Sequence, residues 1–342
     1  MTALPSPGAV SSGGKTVEVV VIGCAARAVL DAHAQGRVLA VFRRSFYAAF
    51  DDEVVCVGPP QLGVGPLNAL TADREDPAWA DAGIEVGAAV SCGDSALDVA
   101  GRIRFDFRAA DVWQPPGTLA WTPATLADGL DLLARKVRLR KPGGLGALLA
   151  GRARDSESPI GERDDALLRA ARPSVDALRD WLAAALAGAA VPPPVAALIG
   201  LGPGLTPSGD DWLGGAMIAL RHFGRPDVAQ RLADAVLAVA ARNTSVISAA
   251  YLRCAARGEG SRVLFDALAC LAAADQATMD GRLDAIDAVG HTSGWDCLAG
   301  AALACAVLQA SARSTSTASS AACAFDGAAM MPASSSRATC RE

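Results

Sequence analysis

The feature that most limits how this chain can fold is a glycine- and proline-rich stretch in its second half. It runs from Gly200 to Trp212 with the sequence GLGPGLTPSGDDW. Its alternating glycines and two prolines are incompatible with a regular helix or strand. Directly after it, Leu213, Met217 and Leu220 recur at helical spacing. The sequence therefore predicts a tight loop that leads into the N-terminus of a helix.

The polar residues of this stretch go beyond what a helix start needs. Ser208 is expected at the N-cap, with Asp211 three residues later in a capping-box arrangement. Capping alone requires neither the spaced glycines Gly202 and Gly204 nor the additional hydroxyl of Thr206. Spaced glycines let backbone N–H groups turn toward a ligand without side chains in the way. We therefore expect a ligand site, and simple capping is the alternative.

A second stretch repeats this pattern later in the chain. Residues 208–216 align without gaps on residues 293–301, and six of the nine positions are identical. Ser293 and Asp296 correspond to the serine and the second aspartate of the first copy, and His291 and Thr292 come directly before them. The repeat predicts two paired helix N-termini directed at one place.

A third polar helix start lies between these two copies. Arg242, Asn243 and Thr244 precede a helical pattern, and Asn243 or Thr244 is expected to be its N-cap. Ser248 lies one turn into this helix. The functional interpretation makes Arg242 an anion clamp near the first two helix starts, and simple capping is again the alternative. His291, one of three histidines, is a candidate catalytic or substrate-binding group.

Aspartates close to an anion site would repel the anion. One solution is that the backbone amides of Gly202–Leu205 hold the anion. The aspartates would then face an amide or ammonia-like end of the substrate; they are Asp210, Asp211 and Asp296. The other is a divalent cation such as Mg²⁺ that bridges aspartate and anion. The first is favoured, since Asp210 and Asp211 point about 100° apart on a helix. We therefore expect no cofactor.

The composition restricts the class of protein. The formal net charge of 342 residues is −5, which argues against nucleic acid as a partner. The nine cysteines form no C-x-x-C pair, so buried free thiols in a reducing cytoplasm are expected. The chain shows neither a secretory signal nor a run of 18 apolar residues, so no membrane segment is expected. We expect a small anionic metabolite as the ligand.

The expected fold class is α+β. Four regions are expected: a disordered N-terminus 1–14, a β-rich barrel or sandwich 15–120, a helical domain 121–310 that carries the site, and a disordered Ala/Ser/Thr-rich tail 311–342. Strands are predicted over 17–22, 37–42, 45–50, 53–57, 84–90 and 102–107. Helices are predicted over 123–136, 163–187, 209–223, 226–241, 245–256, 261–273, 280–288 and 294–310, with Pro173 interrupting or starting one.

The three polar motifs together resemble a known family. The stretches Gly202–Asp211, Arg242–Ser248 and His291–Asp296 are similar to the AllH family, whose named members are subunits of oxamate carbamoyltransferase. In the β-rich half, Val38–Phe42 and Gly65–Asn68 are similar as well, so the resemblance covers about 15–310. The Ala/Ser-rich tail departs from the pattern.

The resemblance implies transfer of a carbamoyl group between oxamate, or oxalurate, and carbamoyl phosphate in purine catabolism through allantoin, carried out with partner subunits. Loop amides, Arg242 and the hydroxyls of Thr206, Thr244 and Ser293 would then hold the anionic groups and polarise the carbamoyl oxygen. Asp211 or His291 would take the proton from the attacking amide nitrogen. The alternative is a subunit that binds the metabolite or assembles the complex without catalysing the reaction.

Overall fold

The computed structural model of this protein describes residues 15–73, 79, 83–150 and 162–326. The N-terminus 1–14, predicted to be disordered, lies outside the described residues, as do residues 327–342 of the predicted tail. The fold is α+β as predicted, with a β-rich N-terminal half followed by a helical half.

The N-terminal half is a small closed barrel with one additional strand. Its described strands are β1 (Lys15–Gly23), β2 (Gln35–Val41), β3 (Phe46–Phe50), β4 (Glu53–Gly58), β5 (Asn68–Thr71), β6 (Ala89–Gly93), β7 (Ala96–Val99), β8 (Ile103–Asp106) and β9 (Asp111–Trp113). The pairing order is β5-β4-β3-β2-β6-β7-β8-β1, and β1 pairs again with β5, so eight strands close on themselves. Strand β9 runs parallel to β1 outside this ring.

Alternating side chains fill the barrel. In β8, Ile103 and Phe105 are buried while the arginine and aspartate that follow them are partly exposed, as expected for a half-buried strand. The rings of Phe46, Trp79 and Phe105 meet inside, with centroids 5.4–5.7 Å apart. These side chains supply the aromatic part of the barrel core.

The sequence leaves several elements of this half unpredicted. They are β5, β7, β9 and a helix, α1 (Cys24–Ala32), that follows β1 directly. In addition, the strand expected over 84–90 is observed at Ala89–Gly93. Strand β9 has three residues and β5 and β7 have four each, which is too short to establish an alternating pattern.

All eight helices predicted for the second half are present. They are α2 (Pro123–Arg140), α3 (Glu162–Leu186), α4 (Ser208–His222), α5 (Pro226–Asn243), α6 (Val246–Ala256), α7 (Arg262–Ala273), α8 (Met279–Asp287) and α9 (Ser293–Asp326). A 3-10 segment, Gly144–Ala150, follows α2.

Two expectations for the helices are corrected. Pro173 lies inside α3 and does not interrupt it. Proline already has a helical φ, and apolar packing by Ala171, Val175 and Leu178 on either side offsets the lost hydrogen bond. Helix α9 continues to Asp326, past the expected end at 310, because its Ala-rich sequence has a high helix propensity.

Helix α4 is the centre of the helical half. Thirteen of its fifteen residues are buried, including Trp212, Leu213 and Met217. A helix that is buried on every side needs partners all round, and α9 packs along it most extensively. Within the described residues, Ser293–Ser314 of α9 has the length and apolar composition of a membrane span, but 61% of its apolar window is buried inside this protein.

The barrel contacts the helical half through α6 and the start of α7. Ala250 and Cys254 of α6 pack in one cluster with Val54 and Leu67 of the barrel half. The backbone N–H of Arg262 donates to the carbonyl of Val64 over 2.9 Å. The loop between β4 and β5 is therefore held against the helical half.

Candidate functional site

The glycine-rich stretch is a tight loop that leads into α4, as predicted. Gly200, Gly202 and Gly204 have φ values of 74°, 116° and 98°, which residues with a Cβ rarely adopt. A Cβ on Gly200 would also overlap the carbonyl oxygen of Asn243, so the loop lies directly against the end of α5. The Ser245 hydroxyl donates to the Leu205 carbonyl over 2.5 Å and joins the loop to α6.

The expected capping arrangements are corrected. Ser208 is the first helical residue of α4, the N-cap is Pro207, and no side chain caps this end. Ser208 instead interacts with Asp296 on α9 and counteracts the rise of its pKa. At the third motif, Asn243 is the last residue of α5, and Ser245, not Asn243 or Thr244, is the N-cap of α6. These hydroxyls have tertiary partners that local patterns cannot reveal.

The two sequence repeats interact with each other in a reciprocal way. Ser208 of α4 interacts with Asp296 of α9 and counteracts the rise of its pKa, and Ser293 of α9 has the same effect on Asp211 of α4. The hydroxyl oxygens of Thr206 and Ser293 are 3.0 Å apart. The two helix N-termini therefore lie next to each other, as the repeat predicts.

Asp210 joins the first motif to the third. Its Oδ1 accepts from the Gly200 N–H over 2.8 Å. Its Oδ2 accepts from the hydroxyls of Thr244 and, over 2.6 Å, Ser248. Asp210 is 1% exposed, so its carboxylate is a buried acceptor with three donors. All three polar motifs thus meet in space.

Asp296 is satisfied in a similar way in the second repeat. Its Oδ1 accepts from the backbone N–H of Leu145 over 2.6 Å, and its Oδ2 accepts from the Thr292 hydroxyl over 2.8 Å. Gly144 allows this approach, since a Cβ there would press on the carboxylate. Burial raises the pKa of Asp296, while these donors and Ser208 counteract the rise.

Asp211 differs from its counterpart in the second repeat. Its Oδ2 atom is buried and has no hydrogen-bond partner within the described residues. Burial raises the pKa of this carboxyl well above its ordinary value, and the nearby charges of Asp296 and Asp210 add to the rise. Hydrogen bonds from Ser293 and Thr206 act against it. Asp211 is therefore a buried carboxyl group whose Oδ2 could still accept a hydrogen bond.

Asp211 lines a pocket between the two halves of the protein. The pocket has a volume of about 230 Å³, suited to a small metabolite, and its walls are mostly apolar. Helices α4, α6 and α9 form one side, and the barrel contributes Tyr47 and the loop Gly63–Pro66. Of the described residues that line it, none is Lys, Arg or His.

The structure divides the predicted site residues into two groups. Those that line the pocket are Thr206, Asp210, Asp211, Ser248 and Ser293. Those outside its lining are Gly202, Gly204, Leu205, Ser208, Arg242, Asn243, Thr244, His291, Thr292 and Asp296. Within the second group, Ser208 and Asp296 are buried supports, whereas Arg242 and His291 are exposed to solvent.

Several polar residues of the pocket were missed by sequence reasoning. They are Tyr47, Asn68, Tyr251, Glu259 and Ser261. The Tyr251 hydroxyl donates to Asn68 Oδ1 over 3.4 Å, and burial raises the pKa of both tyrosines, which keeps them protonated. A sequence signal existed for Asn68, which interrupts an apolar run from Leu67 to Leu70.

The remaining polar groups have other partners. Asn68 Nδ2 donates to the Gly63 carbonyl over 2.8 Å, which shapes the loop over the pocket. Glu259 pairs with Arg257 through two bonds of 2.8–2.9 Å. In the part of the chain that the structure describes, no three His, Cys, Asp or Glu side chains are grouped so that they could hold a metal.

The segment that builds the helical side of the pocket is similar to a known family. Residues 198–305 match oxamate carbamoyltransferase subunit AllH. This AllH match confirms the resemblance over 198–305, which contains all three polar motifs, whereas the barrel and the rest of the region 15–310 lie outside it. No solved structure matches the chain.

Proposed function

We propose that this chain is a cytoplasmic subunit of a carbamoyltransferase that acts on small carboxylate or amide metabolites. The substrates would be oxamate or oxalurate together with carbamoyl phosphate, in purine breakdown through allantoin. One observation carries the proposal: the AllH-matched segment contains the three polar motifs, and these meet at a pocket lined by Asp211.

The pocket residues have the chemistry that carbamoyl transfer needs. The amide nitrogen of the acceptor attacks the carbamoyl carbon, the bond from that carbon to the phosphate oxygen breaks, and phosphate leaves. The attacking nitrogen must lose a proton, and Asp211 is the acceptor that we assign to it. Burial raises the pKa of this carboxyl, and a carboxylate with a raised pKa is a stronger base. The hydroxyls of Thr206 and Ser293 would polarise the carbamoyl oxygen.

The anionic groups require a different place. A phosphate or carboxylate is poorly matched to a pocket whose charged residues are acidic. We assign the anions to the exposed side of the site, where the Gly202–Leu205 loop offers backbone amides and Arg242 offers a cation. In this arrangement His291, also exposed, is a second candidate for the proton acceptor.

A second candidate function is a subunit that binds the metabolite or assembles the complex without catalysing transfer. The exposure of Arg242 and His291 favours it, since catalytic groups of a complete site are expected to face the pocket. In this case partner subunits would supply the cationic residues that the described pocket lacks.

Carbamoyl transfer by the purified full-length chain distinguishes the two candidates. Consumption of carbamoyl phosphate with oxamate is measured for the chain alone and for the chain with its co-purified partner subunits. We expect Asp211→Asn to reduce the rate of the active form by at least about 100-fold, as for loss of a general base. The exposed Asp128→Asn is the matched control and is expected to keep full activity. Full activity of Asp211→Asn would overturn the catalytic assignment.

A further inference from the structure

The internal repeat allows Asp211, whose Oδ2 has no hydrogen-bond partner within the described residues, to be compared with Asp296, whose two carboxylate oxygens both accept hydrogen bonds. Asp211 and Asp296 hold equivalent positions in the two aligned stretches, and the serine of the other stretch counteracts the rise of the pKa of each. Around Asp296, the position next to the carboxylate is filled by the protein's own chain. Asp211, in contrast, lines the pocket.

The group that fills the Asp296 side is a peptide amide. The N–H of Leu145 donates to Asp296 Oδ1 over 2.6 Å, and the Gly146 amide also hydrogen-bonds to this carboxyl. The chain brings amide N–H groups to one copy of the repeat, whereas the other copy has a buried oxygen without a donor. A buried polar atom without a partner is unfavourable, so a ligand that supplies the missing hydrogen bond is favoured.

The other polar groups of the pocket leave Asp211 as the main point of recognition. Asp210 already has three donors, and Glu259 is paired with Arg257. Neither carboxylate therefore needs a ligand cation. The absence of Lys, Arg and His among the described lining residues disfavours an anionic group.

From these contacts we infer that the pocket takes the uncharged amide end of a ligand, with Asp211 as its hydrogen-bond partner and any anionic end directed outward. A primary amide offers N–H donors and a carbonyl acceptor, which complement a carboxyl group in either protonation state. This inference rests on the proposed function, for which it names the group that enters the pocket.

The barrel contributes to the same recognition. Tyr47 and Asn68 of the barrel line the pocket together with Tyr251 of α6, and both tyrosines keep their phenol protons. Uncharged donors and acceptors of this kind suit an uncharged ligand group. We assign Asn68 as a positioning residue, because it shapes the Gly63–Pro66 loop through its bond to the Gly63 carbonyl.

Three ligands of nearly the same shape and different charge test the inference. Propionamide, propionate and propionamidinium are titrated into the full-length chain, and dissociation constants are measured by chemical-shift changes. We expect propionamide to bind at least about ten-fold more tightly than either ion, because a site built for one hydrogen-bonding pattern rejects ligands that leave groups unpaired. Tighter binding of propionate or of propionamidinium, or no binding of propionamide, would overturn the inference.

Two variants separate hydrogen bonding from charge. Asp211→Asn keeps an acceptor oxygen and offers N–H donors at this position, and it is expected to bind propionamide within a few-fold of the unmodified chain. Asp211→Ala is expected to lose at least about ten-fold. Loss of binding in Asp211→Asn equal to that in Asp211→Ala would contradict amide recognition. These titrations measure binding and need no turnover. Amide binding without carbamoyl transfer would contradict the proposed function alone, and carbamoyl transfer without amide binding would contradict this inference alone.

Discussion

Gly215 of α4 and Gly300 of α9 have reciprocal contacts: each faces the backbone carbonyl that lies three residues before the other. A Cβ on Gly215 would overlap the carbonyl oxygen of Cys297, and a Cβ on Gly300 would overlap that of Trp212. The two glycines also occupy equivalent positions in the sequence repeat. They let α4 and α9 approach closely enough for each serine to reach the other helix's aspartate.

Alanine at either glycine is expected to separate these helices. We predict that Gly215→Ala or Gly300→Ala lowers the free energy of unfolding by about 1–3 kcal/mol through overpacking. The matched control is Gly214→Ala, whose new Cβ would lie 3.6 Å from Ala255 Cβ, an ordinary contact. It is expected to be neutral or to stabilise by up to about 1 kcal/mol through helix propensity. Urea denaturation measures all three, and equal effects of Gly214→Ala and Gly215→Ala would contradict the close approach.

Replacement of Asp210 is expected to release the three motifs from one another. Asp210→Ala leaves the Gly200 amide and the hydroxyls of Thr244 and Ser248 without their acceptor. We expect it to lower the free energy of unfolding by about 3 kcal/mol or more. Asp128→Ala, at an exposed helical position, is expected to stay within about 0.5 kcal/mol. Chemical denaturation tests both, and a small effect at Asp210 would mean that the motifs are held together by other contacts.

The pKa of Asp211 has a consequence for stability. Because burial raises this pKa in the folded protein, the folded state keeps the proton at pH values where the unfolded chain has lost it. The contribution of Asp211 to stability therefore falls as pH rises from the unfolded to the folded pKa. Asp211→Asn cannot ionise, so its stability relative to the unmodified chain should rise across this window, by up to about 1.4 kcal/mol per pH unit. A constant difference between the two proteins from pH 4 to 8 would show that the pKa is not raised.

Ser293 should tune the ionisation of Asp211. Its hydrogen bond lowers the Asp211 pKa, so Ser293→Ala is expected to raise it further. If Asp211 acts as the base, the acid limb of the profile of kcat/KM against pH moves to higher pH in this variant. Ser91→Ala, at an exposed position of β6, serves as the control and should leave the profile unchanged. An unshifted acid limb in Ser293→Ala would exclude Asp211 as the titrating group.

The sequence predicts where the helices of this protein lie better than it predicts which residues contact each other. Helical periodicity identifies all eight helices from α2 onward, because long amphipathic patterns are explicit in the chain. The repeat around Ser208 and Ser293 also predicts correctly that two helix N-termini meet. By contrast, β9 is too short to show a pattern, and its pairing with β1 joins residues far apart in sequence.

The chemistry of the site depends on such distant contacts. Ser208 looks like an N-cap in the sequence, but its partner is Asp296, 88 positions later. Tyr47 and Asn68 reach the pocket only because the barrel packs on α6 and α7, which no local pattern encodes. The difference between Asp210 and Asp211, adjacent in sequence, likewise arises from which neighbours supply donors.

Both tyrosines of the chain, Tyr47 and Tyr251, line the pocket. Protein produced with fluorotyrosine would consequently give a fluorine NMR spectrum of two resonances, and both would report on the pocket. One tyrosine belongs to the barrel and the other to the helical half. Such a spectrum would register, without mutation of the site, whether both halves sense an arriving ligand together.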